Sequence, residues 1–257
     1  MSKINVFEEK HRSWAQLTGR SWQSDKVRLE IPFSVAGVST AMVLHHTEGM
    51  CIVECGDGLA GYVYSLLGRK TELYGKINAV ILTHEHLDHC GGLAALLGLL
   101  RVAGRKESLD IITPCGSTGT LSKSVKPVIA QLPFDVKFTD SLKRTAIRSG
   151  GIEIESFRTR HRDSFPANRC GDPVKSTGYS ISVDGARIVF SGDTGQVKEL
   201  GEKCSGADLA VIESTWEEPS DCEGLHLTVK EAKEYAMLAS DGILMHPLRD
   251  REGAVLF

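Results

Sequence analysis

The sequence predicts an α/β fold of mixed sheets covered by helices. Three observations carry this reading. Two apolar runs, 41–46 and 50–56, are separated only by Thr47-Glu48-Gly49 and read as a hairpin. A nearly continuous apolar run at 77–83 reads as a strand buried on both faces, followed by a leucine-rich helix packed on its sheet and a second buried strand at 109–113. Asp184-Gly185 stands between GYSISV and ARIVFSG, a strong short hairpin signal.

Taken in order, segment 1–39 reads as an N-terminal strand pair or an added arm. After the hairpin and the 77–113 unit, a helical stretch runs near 117–131, with Pro127 as a kink or boundary. Residues 134–140 and 151–160 alternate like half-exposed strands, and the Asp184-Gly185 hairpin follows. A helix (VKELGEK), a strand (207–215), a helix (228–239) and a strand (242–246) complete the chain. Thr228 and Glu231 have the spacing of a capping box, which fixes the start of the last helix. No linker or repeat interrupts the 257 residues, so one domain over 1–257 is expected.

Lys and Arg number 30 against 33 Asp and Glu, a net charge of −3, with 41% hydrophobic residues. This excludes a disordered, collagen-like or coiled-coil chain and gives no global attraction to nucleic acid or anionic lipid. No run of 18 apolar residues is present, and the first residues are charged, without the apolar core of an export signal. Seven cysteines without pairing rhythm read as reduced thiols of a cytoplasmic protein. Cys51 and Cys55, if on one strand, share a face and read as core.

Chemistry concentrates in Thr83-His84-Glu85-His86-Leu87-Asp88-His89, directly after a buried strand. Imidazole and carboxylate are zinc ligands. His84 and His86 can project from an extended turn while Asp88 and His89 swing to a second point, so one loop can feed two adjacent metals. Packing does not explain three histidines and an aspartate at this density.

The HxHxDH pattern resembles the metallo-β-lactamase superfamily, and further motifs match in order: Asp57 in ECGDG, His161 after IEIESFRTR, Asp193 in SGDT and His246 after GIL. The resemblance implies a four-layer αββα sandwich. It implies two zinc ions, with Mn or Fe also admitted by the carboxylate content. One would be held by His84, His86 and His161, the other by Asp88, His89 and His246, with Asp193 shared and Asp57 orienting the ligand loop. It also implies a metal-bridging hydroxide as nucleophile, with Asp88 part of the catalytic centre.

Within the superfamily, Ser176-Thr177-Gly178-Tyr179, Ile212-Glu213-Ser214-Thr215-Trp216 and His226-Leu227-Thr228 resemble the ribonuclease Z-like phosphodiesterase branch. There the extra histidine acts near the leaving group, which assigns His226 as proton donor and Glu213 as its partner. Segment 157–175 carries Arg158, Arg160, Arg162, Arg169 and Lys175 against Asp163 and Asp172, 5 − 2 = +3. A basic rim suits an anionic substrate, with Arg160, Arg162, Lys175 and Tyr179 as contacts; a solvated strand face is the alternative.

The glycine-rich opening strand of ribonuclease Z and its tRNA-gripping arm have no counterpart, and MHPLRDREG replaces the usual ending. The expected substrate is therefore RNA or a small or cyclic phosphodiester. A lactone, thioester or β-lactam hydrolase is the rival enzyme, and a non-catalytic metal-binding module the rival of another class. A homodimer is compatible with the sequence, and no membrane partner is expected.

Overall fold

A computed structural model describes residues 20–114, 116–141, 146–165, 169–217 and 224–247. The first sheet contains, in spatial and chain order, β1 (Arg20–Gln23), β2 (Arg28–Val35), β3 (Ser39–His46), β4 (Gly49–Cys55), β5 (Ile77–Ile81), β6 (Leu109–Thr113) and β7 (Val136–Asp140). Strands β1 to β4 pair antiparallel and β4 to β7 parallel. The parallel steps are bridged by α1 (Leu59–Leu67) and α2 (Thr71–Tyr74), then α3 (Leu87–Cys90) and α4 (Leu93–Val102), then α5 (Thr118–Ser124) and α6 (Lys126–Ile129).

The chain then enters β8 (Ile147–Ser149), β9 (Ile152–Arg158), a separate two-stranded ribbon of β10 (His161–Phe165) and β11 (Arg169–Val174), β12 (Thr177–Val183) and β13 (Ala186–Phe190). Helix α7 (Lys198–Cys204), β14 (Leu209–Glu213), α8 (Val229–Ala236) and β15 (Asp241–Met245) follow. The second sheet has the order β15-β14-β13-β12-β9-β8.

Alternation along the strands explains why the sheets stack. Leu44, Val53, Ile81 and Ile112 meet Ile154, Tyr179, Ile181, Ile188 and Phe190 between the two sheets. Their neighbours Val43, Ile52, Val80 and Ile111 point the other way, onto Leu59, Val63, Leu96, Leu97 and Leu100. Val189, Ala210 and Ile212 do the same on the far side, against Leu200, Cys204 and Ala232. The result is helix, sheet, sheet, helix, the four-layer αββα arrangement expected.

Several local expectations hold. Asp184 and Gly185 have φ of 47° and 86°, the double positive φ of a type I′ turn between Val183 and Ala186. Thr228 caps α8 in a reciprocal box with Glu231. In the segment read as a strand pair or an added arm, the described part holds β1 and β2; residues 1–19 lie outside the described residues.

Some elements were missed and two readings are corrected. The β10–β11 ribbon and α1 were not expected; short polar or glycine-flanked segments give little periodic signal. Cys51 and Cys55 do not share a face: Cys51 lies between the sheets and Cys55 under the helices. Glu54 between them has φ of 62° and breaks the alternation. Cys51, Cys55, Cys90 and Cys204 are free, but Cys170 is disulfide-bonded, its partner lying outside the described residues, so the expectation of reduced thiols fails there.

Candidate metal centre

The site occupies one rim of the sandwich, where β4, β5, β13, β14 and β15 end. Ligands gather at such strand ends because backbone direction changes there and side chains become free to converge. His84 follows β5, His89 lies within α3, Asp193 follows β13 and His246 follows β15; each is at most 3% exposed. His246 has φ of 62°, a conformation that costs a non-glycine residue roughly 1–3 kcal/mol and persists only where the surroundings impose it.

Among the described residues four overlapping donor groups form, including Glu54, His84, His89 and Asp193, His226, His246; the other two gather the residues read as ligands from the sequence. His84 Nε2 and His161 Nε2 stand 3.0 and 3.2 Å from His86 Nδ1, and Asp193 Oδ2 lies 3.8 and 3.9 Å from the first two. On the other side, His246 Nε2 is 3.1 Å from both His89 Nε2 and Asp88 Oδ2, with Asp193 Oδ1 3.5 Å from His89 Nε2. The sets His84, His86, His161, Asp193 and Asp88, His89, His246 each fall within 4.8 Å. Tetrahedral ligands at zinc–nitrogen distances of about 2.0–2.1 Å stand about 3.3 Å apart, so the spacing fits a cation at each centre. Asp193, with one oxygen toward each group, is placed to be shared. All seven residues read as ligands from the sequence are thus brought together.

The outer nitrogen of every one of these five imidazoles meets a polar group. His84 Nδ1 meets Thr83 Oγ1 at 3.0 Å, His86 Nε2 meets Asp163 Oδ1 at 2.6 Å, and His161 Nδ1 meets the Leu225 carbonyl at 2.8 Å. His89 Nδ1 lies 3.3 Å from Glu54 Oε1, and His246 Nδ1 lies 3.0 Å from Thr215 Oγ1. Outer partners of this kind fix which ring nitrogen keeps its lone pair and aim it inward. Burial pushes His161 down to about 3, and burial with neighbouring imidazoles holds His84 well below the usual histidine range, so both rings are neutral donors. Burial pushes the Asp193 carboxyl up, yet the surrounding histidines hold it well below the usual carboxylate range. Asp88 follows the same logic: burial pushes it up, but the His246 hydrogen bond and charge hold it at about 2.

Asp57, expected to orient the ligand loop, does not do so: it is exposed, and only its backbone carbonyl is engaged, by Ser39 Oγ. Glu54 fills that role. Its carboxylate accepts from the Thr83 backbone N–H at 3.2 Å and from the Thr83 hydroxyl, beside its contact with His89. The bulged backbone at Glu54 turns it to the rim, which a simple strand reading places on another face. Thr83, Asp163 and Thr215 were also missed; Asp163 sits where the ribbon register shifts and Thr215 lies just past the end of β14, so strand alternation does not locate either.

Next to the ligands, His226 Nδ1 lies 2.9 Å from Glu213 Oε1 and 3.8 Å from Asp193 Oδ2. Glu213 is buried and also accepts from the backbone N–H groups of Thr194, Thr215 and Leu227 and from the Thr215 hydroxyl. Burial pushes His226 down, but the charge and hydrogen bond of Glu213 outweigh it and the pKa is raised.

Two of the five residues read as a basic rim donate to backbone carbonyls. Arg162 Nη1 donates to the Gly171 carbonyl and Lys175 Nζ to the Gly116 carbonyl. Arg160 is exposed, with its side chain along Gly224. The Arg169 side chain lies outside what is described. Tyr179 is a correction: it is fully buried between the sheets and donates to the Leu82 carbonyl at 2.8 Å, so it cannot touch substrate. The GY pair serves packing, with Gly178 leaving room for the Phe157 ring, which a Cβ would meet at 2.2 Å.

The family model for the beta-lactamase superfamily domain matches residues 53–246, from the strand that carries Glu54 to the last histidine of the cluster. The chain belongs to that superfamily. Its fold is the metallo-β-lactamase fold. A ribonuclease Z of Lachnospira eligens is 28% identical over 167 residues, 65% of this chain; that match spans only 49% of the relative. A ribonuclease Z of Bradyrhizobium diazoefficiens is 27% identical over 80% of this chain and 81% of its own. A metallo-β-lactamase fold protein, YhfI of Bacillus subtilis, superposes with a TM-score of 0.69 at 16% identity, covering 87% of each chain. No described helix is long and apolar enough to cross a membrane.

Proposed function

We propose that this chain is a dinuclear zinc phosphodiesterase of the ribonuclease Z type, acting on RNA or on a small or cyclic phosphodiester. The observation that carries the reading is the His226–Glu213 pair, 2.9 Å apart beside the shared Asp193. The ribonuclease Z relatives support the same choice. His84, His86, His161 and Asp193 would hold one ion, and Asp88, His89, His246 and Asp193 the other. Bound zinc supplies a water acidic enough to deprotonate near neutral pH and charge to neutralise a phosphoryl group.

The chain's own residues do the rest. Glu213, its oxygens filled by fixed donors, accepts the Nδ1 proton of His226 and holds the ring with Nε2 available. His226 in its charged form then gives a proton to the departing alkoxide, as a poor leaving group requires. Arg160, Arg162 and Lys175 surround the His161 ribbon and would favour an anionic substrate. The compact run through α5, α6 and β7 offers no long arm for gripping tRNA, which favours a shorter substrate.

A panel on metal-loaded protein tests this: bis-p-nitrophenyl phosphate, a 2′,3′-cyclic nucleotide, a short RNA, a lactone and a thioester. Hydrolysis of the phosphodiesters well above the acyl substrates is expected; the reverse order would sink the assignment.

A further inference from the structure

Of the five imidazoles in the two groups read as ligands, four are almost fully buried, with side-chain exposures of 0, 2, 1 and 4% for His84, His89, His161 and His246. His86 is the exception at 31%. Packing therefore holds its ring least. Its Nδ1 must face inward with a lone pair, because His84 Nε2 and His161 Nε2 both stand within 3.2 Å of it. The proton then sits on Nε2 and is donated to Asp163 Oδ1 at 2.6 Å.

Asp163 belongs to the β10–β11 ribbon, which pairs with neither main sheet. His161, two residues earlier on the same strand, supplies a donor to the same group. The ribbon register shifts between Arg162 and Ser164, which places Asp163 in an irregularity. Gly171 stands opposite, and a Cβ there would come within 2.5 Å of Asp163 Cβ and 2.6 Å of its carbonyl oxygen. The other four imidazoles take their outer partners from Thr83, Glu54, Thr215 and the Leu225 carbonyl, none of them on the ribbon.

We propose that Asp163 is a positioning residue of the metal centre: its carboxylate orients His86, so that docking of the β10–β11 ribbon and binding of the cation held by His84, His86 and His161 support each other. The inference rests on the reading of that cluster as a cation site. A cation on Nδ1 makes the Nε2 proton more acidic and strengthens the bond to Asp163; by linkage, the docked carboxylate strengthens cation binding by the same factor. The half-exposed carboxylate would contribute little to an unliganded ring, since solvent screens it.

The test is a metal titration of metal-free protein against a chelator of known affinity, with zinc and then cobalt as the ion. Asp163→Asn keeps shape and removes charge; Asp172→Asn removes the same charge from an exposed position of the ribbon. For Asp163→Asn, one of the two ions should bind about 10–100-fold more weakly, the loss typical of an outer partner, with an altered cobalt absorption spectrum. Asp172→Asn should match wild type, and Gly171→Ala should reproduce the Asp163 effect by crowding it out of place. Circular dichroism of the metal-free variants establishes that each folds. In wild type, amide protection across the ribbon should rise with the first ion, and less so in Asp163→Asn. Wild-type affinity for both ions in Asp163→Asn overturns the inference while leaving the metal centre intact. Absence of any binding by wild type overturns the centre itself and the inference with it.

Discussion

Glu54 Oε1 lies 3.3 Å from Nδ1 of His89, and the same carboxylate accepts the backbone N–H of Thr83 at 3.2 Å. One buried group therefore fixes both ends of the loop that carries His84, His86, Asp88 and His89. Its left-handed backbone is the strain accepted to bring it there.

The first prediction follows. Glu54→Gln keeps size but loses the charge that faces His89 Nδ1 at 3.3 Å, and should weaken the ion at Asp88, His89 and His246 about 10–100-fold. It should also lower stability by about 1–3 kcal/mol, because the single oxygen of a buried amide cannot replace both carboxylate oxygens that accept from the Thr83 N–H and hydroxyl. Asp57→Asn, at the exposed neighbouring position, should change neither. Isothermal titration and chemical denaturation measure both; a larger effect at Asp57 would return the role to that residue.

The contrast between these two acids shows what the sequence could carry. Ligands were legible because His84, His86, Asp88 and His89 crowd one strand end, and because His161, Asp193 and His246 each follow an apolar run. The sandwich was legible because β5 and β6 are apolar on both faces. Glu54 was not, since its role depends on a single positive φ that breaks strand alternation, and period-two reasoning has no means of locating such a break. Tyr179 failed for a related reason. A tyrosine beside a basic stretch reads as a contact, but in the folded chain it faces Leu82 across the gap between the sheets.

That burial gives a second prediction. Tyr179→Phe removes a hydroxyl and leaves the Leu82 carbonyl without this donor, so stability should fall by about 1–3 kcal/mol. KM and kcat for a phosphodiester should stay unchanged. A raised KM at constant stability would restore Tyr179 as a substrate contact.

Asp193 presents one oxygen to each histidine group, which makes metal stoichiometry the third prediction. Elemental analysis of metal-replete protein should find two ions per chain. Asp193→Ala should release both more readily than His161→Ala, whose side chain serves one group only. Loss of a single ion from Asp193→Ala would remove it as the shared ligand.

His226 decides the chemistry. It is absent from both donor groups of the proposed two-ion centre, although its Nδ1 lies 3.8 Å from Asp193, so His226→Ala should retain both ions. General acid–base groups contribute about 10²–10⁴-fold in rate. A ribose hydroxyl leaving group should feel nearly all of that loss, and an activated p-nitrophenolate, which departs without a proton, far less. Glu213→Gln supplies the pH counterpart. Burial alone would depress the His226 pKa, and Glu213 raises it. Removing that charge lowers the pKa, so the proton-bearing form is lost at a lower pH. The alkaline limb of kcat/KM for the poor leaving group should therefore move to lower pH, while the p-nitrophenyl ester shows little displacement. An equal loss on both substrates in His226→Ala would assign the ring to positioning, and no loss on either would detach it from the reaction together with Glu213.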